Sequence, residues 1–203
     1  MEYSKEFKQA ISAFSSVEKD RLIIRLLKKD RILSEKLYFE LIDPETQDEK
    51  RAQLEDSVKE EVAAASNYIK NAKHFLRLIR KISAKITEHV KITSDKFGEV
   101  SLNLLLINEI LALATHFRDG YKLYIYLLNK IFRTLVLTQK LDSDYFIELN
   151  VYFENLHESI LKNTELAQLA LQHGLDLNWL HPENIPEHIA IILKDLKSDG
   201  FLR

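Results

Sequence analysis

No proline or glycine occurs between Pro44 and Gly98. A seven-residue apolar repeat fills most of that gap. One register holds Val62, Ile69, Leu76, Ser83 and Val90, and the other holds Val58, Ala65, Ala72, Ile79 and Ile86. Positions three and four apart share a helix face, so the repeat predicts one long helix over about residues 45–91 that packs lengthwise against other helices. A further column, Leu54, Tyr68, Phe75 and Ile82, widens the apolar face. A two-stranded coiled coil keeps that column polar, so the expected neighbours are helices of the same chain.

The other glycines and prolines act as punctuation. Gly120, Gly174, Gly200, Pro182 and Pro186 each stand where the apolar periodicity stops or restarts. Between these marks the pattern predicts short helices over about 4–14, from Ser15 through Leu22 and Leu26 to Lys28-Lys29-Asp30, and over about 32–42. Longer ones follow over 100–117, 121–140 and 144–162, and two more lie over about 164–173 and 184–199. Ser15 with Glu18 reads as a capping box, and Asn184 with Glu187 reads as the start of the last helix. No window alternates with period two, so no strand is expected. The expected fold class is all-α: an irregular multi-helix bundle built on the long central helix, with short flanking helices. It forms one domain, with a short-helix cap over 1–43, a body over 45–162 and a helical cap over 164–203.

A chain of 203 residues can bury roughly 70% of its unfolded surface without a staple. It has no cysteine, which excludes thiol catalysis, thiolate metal ligation and a disulfide framework, and fits a reducing, cytoplasmic setting. The charged start, Met1 to Phe7, predicts no signal peptide. The most apolar run, 100–117, approaches the length of a membrane span, but Asn103, Asn108 and Glu109 interrupt it. A carboxylate at mid-bilayer costs roughly 2.5–3.5 kcal/mol, so a core helix is expected and no membrane partner. The formal net charge of −2 gives no global attraction to polyanions.

Four groups of residues could carry chemistry. Lys70, Lys73, His74, Arg77, Arg80, Lys81 and Lys85 form a basic face on the long helix, away from its apolar stripe. Such a row can follow a phosphate backbone, with Lys70, Lys73, Arg77, Lys81 and Lys85 as the binding residues. The competing reading is a solvated face that complements the helix dipole, or one paired with the acidic helix over 144–162. Glu154 and His157 have a Glu-x-x-His spacing seen in di-iron bundles, with Glu109 as a third ligand. Only one copy of the motif is present, so exposed or salt-bridged residues are the plainer expectation. Asn103, Asn108 and Glu109 are expected as polar residues of the core, with Glu109 paired to Lys122, Lys130 or Arg133. The loop over 173–184 holds the lone Trp179 with His173 and His181, and reads as a hydrophobic plug.

No phosphate loop, dinucleotide fingerprint, nucleophile elbow or His-Glu-x-x-His is present. The leading expectation is therefore a non-enzymatic helical interaction or scaffold protein that associates with itself or another protein, with no cofactor and no identifiable small molecule. Two alternatives stay open: nucleic-acid or anionic-partner binding through the basic face, and a metal-dependent enzyme.

Overall fold

The computed structural model describes residues 3–114 and 116–203, and among these it has ten α-helices and no strand. The fold is all-α, but its spine is not the one the repeat suggested. Residues 45–91 do not form a single helix. They form an antiparallel hairpin of α4 (Gln47–Ala65) and α5 (Ala72–Thr93), joined through a 3-10 turn at Ser66–Tyr68. The ladder between them fixes the direction. The Gln47 side-chain amide donates to the Thr93 carbonyl at 3.0 Å, and Lys85 pairs with Glu61 at 2.5 Å.

The reversal needs neither glycine nor proline because polar side chains satisfy the helix ends. The last carbonyls of α4 accept from Ser66 Oγ and Asn67 Nδ2, at 2.6 and 3.1 Å. Asn71 caps α5, its side-chain oxygen accepting from the His74 N–H at 3.0 Å. Both helices turn their apolar repeat inward, and Val58, Val62, Ala65, Phe75, Leu76, Ile79, Ile82 and Ile86 are all buried. Most of the stripe is filled by the chain's own core, with Tyr68 at the turn left exposed.

The central element is α6 (Lys96–Leu113). Eleven of its eighteen residues are buried, which fits a helix apolar nearly all round. It packs against α4, α5, α7 (Tyr121–Thr138) and α8 (Phe146–Lys162). Asp95 caps it, its carboxylate accepting from the Gly98 N–H at 2.7 Å. A side chain at Gly98 would run into that carboxylate, so the cap and the glycine require each other.

Short helices complete the bundle. Thr164–Gln172 forms α9 and Ile189–Ser198 forms α10, and both pack against α7. The expected cap at Asn184 is absent. Asn184 lies in a 3-10 turn, Pro182–Asn184; Ile185 is extended with its side chain buried, and a turn at Glu187 and His188 leads into α10 at Ile189. At the other terminus α3 (Arg31–Leu41) packs on α5. The first two helices, α1 (Lys5–Ser12) and α2 (Ser16–Leu27), are well capped by Ser4 and Ser15, yet neither has a buried residue. No helix among the described residues is long and apolar enough to cross a membrane.

Candidate functional site

The basic face lies on the outer side of α5, and the structure divides it. Lys70, Lys73, Arg77 and Arg80 recur every three or four residues and line one wall of a cleft of about 800 Å³. Lys122, at the start of α7, supplies the opposite wall with Leu123. Among the described residues none of these five cations has an acidic partner within ion-pair distance. One carboxylate, Asp119, also lines the cleft, and it lies 3.9 Å from Arg118. The expected competitor, acidic α8, packs on α6 and pairs with none of them. Lys85 is taken out of the set by Glu61, and Lys81, though exposed, lies outside the cleft.

A second depression of about 380 Å³ continues the first, sharing Arg80 and Lys122. Its walls are aromatic and apolar: Tyr121, Tyr126 and Ile125, with Arg203 at the far end. Tyr121 is half exposed, and the Arg80 guanidinium lies over the Tyr126 ring at 5.6 Å. Sequence reasoning found the α5 cations through their spacing. It read Lys122 only as a partner for Glu109 and missed Arg203, because each stands alone in sequence.

At the opposite end of the α4–α5 hairpin a buried polar cluster forms where three helix ends meet. Asp95 accepts from Arg51 Nη1 at 3.0 Å and faces His89 Nε2 at 3.4 Å. Thr93 Oγ1 donates to the His89 carbonyl at 2.9 Å, and the Arg51 guanidinium stacks over Phe97 at 4.8 Å. Burial pushes the Asp95 carboxyl up, but hydrogen bonds from His89 and Gly98 and the charge of Arg51 outweigh it and leave the pKa below the ordinary value. These groups satisfy one another, so the cluster ties helix ends together. Beside it, between α3, α4 and α5, runs a groove of about 700 Å³ with Tyr38, Phe39, Leu54 and Ile92 on its walls.

The remaining candidates disperse. Among the described residues no three His, Asp or Glu side chains converge as a metal site, and this includes Glu154, His157 and Glu109. Glu154 is exposed on α8, and His157 faces His181 with ring centres 6.2 Å apart. Of the three polar residues assigned to the core, only Asn103 is fully buried. Asn108 is half-buried and donates to the Tyr152 carbonyl at 2.9 Å. Glu109 is half-buried at the edge of α6 and makes none of the expected ion pairs, because Arg133 pairs with Glu99 at 3.3 Å and Lys130 donates to Asn103. The C-terminal loop is held as a plug. Leu175 and Leu180 are buried, Trp179 meets Phe132 edge-on, and His173 Nδ1 accepts from the Leu202 N–H at 3.1 Å.

Comparison with protein-family models, with curated proteins and with solved structures finds no match to this chain.

Proposed function

We propose that this is a non-enzymatic helical interaction protein that associates with a second copy of itself through its N-terminal helices. One observation carries the reading: among the described residues α1 and α2 present apolar side chains that remain exposed. Phe7 and Ile11 fall on one side of α1 at helical spacing, Tyr3 stacks on Phe7 just before the helix and Phe14 follows it, and all four are exposed. Val17, Ile23, Ile24 and Leu26 are likewise exposed on or beside α2. An exposed apolar cluster of this kind marks a binding surface. The N-terminal helices are the better candidates for such a contact, because the central repeat packs mainly into the core.

Charge complementarity favours another copy as the occupant. The first thirty-one residues carry eight Lys or Arg against five Asp or Glu, while the rest of the chain is net acidic. The outer face of α8 offers a matching receptor. Ile147, Val151, Glu154, Glu158 and Leu161 recur with spacings of four and three residues, and all five are exposed. An amphipathic, basic pair of helices laid along that acidic and apolar ridge is a helix-on-helix contact of ordinary chemistry.

Light scattering on the full chain tests it. A dimer or larger assembly is expected, converting to monomer in the double variant Phe7→Asp with Ile11→Asp while far-ultraviolet helicity stays unchanged. The pair Val151→Lys with Glu154→Lys on α8 should do the same from the receptor side. A strict monomer at every concentration refutes self-association. An assembly that survives both pairs of changes refutes this surface.

A further inference from the structure

We infer that the cleft between α5 and α7 is a binding site for single-stranded polynucleotide. The site is on the body of the bundle and uses none of the residues of α1 and α2.

Four features converge on this ligand. Lys73, Arg77 and Arg80 span about 10 Å along the axis of α5, and Lys70 extends the row from the turn just before it, which is the reach of several consecutive phosphates. Lys122 faces them across the cleft, so the positive charge encloses a channel instead of spreading over a convex surface. The cations lack acidic partners among the described residues; Asp119 is the one carboxylate on the cleft wall, leaving a surplus of positive charge. Uncompensated like charges held this close repel one another, and an anionic ligand relieves that repulsion.

The fourth feature separates a strand from a bare phosphate. The channel runs on into the aromatic depression through the shared residues Arg80 and Lys122. There the exposed ring of Tyr121 offers a face on which a base can stack, and the Arg80 guanidinium lies over the Tyr126 ring at 5.6 Å. Cations tracking a backbone beside aromatic platforms is how proteins hold single strands without reading their sequence. In a duplex the bases stack on each other and are closed to such a ring.

The test is fluorescence anisotropy of a labelled oligo-uridylate against the full chain over a salt series. Five phosphate contacts predict a slope of about −3.5 in log affinity against log salt, a loss of about 100-fold between 50 and 200 mM. Arg77→Glu with Arg80→Glu should weaken binding at least about tenfold and flatten the slope by about 1.4. Tyr121→Ala should weaken binding about tenfold with the slope unchanged, the signature of lost stacking. Circular dichroism confirms that these surface variants stay folded. Absence of binding at low salt overturns the inference, as does a slope indifferent to the charge reversals. A duplex bound as tightly as the strand, or a Tyr121→Ala variant of full affinity, overturns the assignment to single strands.

Discussion

Replacing Lys130 by Met should change how the protein's stability depends on pH, by an amount the structure allows to be worked out. Lys130 reaches from α7 to donate to the Asn103 side-chain oxygen on α6. Burial, and then the positive charge of Arg133, push its pKa from 10.5 down to about 8, against a smaller pull from Glu99. A separation of about 2.5 pH units corresponds to about 3 kcal/mol. Below pH 8 both folded and unfolded chains hold the proton, and the native state carries the whole penalty. Between pH 8 and 10.5 the native state releases the proton while the unfolded state keeps it, so stability rises with pH in that window. Methionine fills a similar volume and does not titrate. Its removal of the ammonium at pH 7 is largely offset by about 1–3 kcal/mol for the unpaired Asn103 oxygen. The readout is the difference in unfolding free energy between variant and parent from urea titrations at pH 7 and pH 10.5. It should move by about 3 kcal/mol in the parent's favour as the pH rises. Taking the difference cancels other groups, including Tyr126, whose pKa burial raises. A difference that stays constant across the range refutes the reasoning, because Lys130 would then be hydrated and ordinary.

Asp95→Ala should cost about 3 kcal/mol in urea unfolding at neutral pH, since it strands Arg51 and His89 and uncaps α6. The parent should lose the same stabilisation as pH falls below about 4, through the depressed pKa of Asp95, and Asp95→Asn should abolish that slope. Gly120→Ala should cost about 1–3 kcal/mol in a thermal melt, because a Cβ there would approach the Phe117 carbonyl to 2.6 Å and the Tyr124 ring to 3.0 Å. Ile79→Ala, at a fully buried position of α5, should cost about 2–5 kcal/mol, whereas Ile24→Ala on exposed α2 should stay within about 0.5 kcal/mol in a dilute monomeric sample.

Helix class and most helix limits were legible because local chemistry sets them. The Ser15–Glu18 capping box opens α2 where the sequence placed it, and Gly120 precedes α7 as its position implied. The α4–α5 turn was hidden because it lacks the two residues that normally announce one. Its signal was weaker: Ser66, Asn67 and Asn71, side chains that compete for backbone hydrogen bonds, all fall within six residues of an unbroken apolar repeat. Once the chain reverses there, both arms of the repeat face the same core, so periodicity alone cannot separate a hairpin from a continuous rod. The identity of the central helix was misplaced for a related reason. The repeat of 45–91 was more regular, but the run around Leu104 to Ile110 was apolar on every side, and a helix surrounded by others needs that. The α5 side of the basic cleft was readable from spacing. Lys122 and Tyr121 enter it from a helix some forty residues away, through a packing that spacing does not encode.

The order of packing also sets an order of assembly. From α4 to α7 each helix lies against the next in the chain, so most of the core closes through neighbouring segments. Contacts of this kind close small loops and form quickly. The exception is α8, which skips α7 to lie along α6 and receive the Asn108 amide at the Tyr152 carbonyl. A nascent chain that has not yet produced residues 146–162 therefore has one flank of its most apolar helix bare. Synthesis of α8 is the event that shields it, and any pause before that point exposes the segment most prone to aggregate.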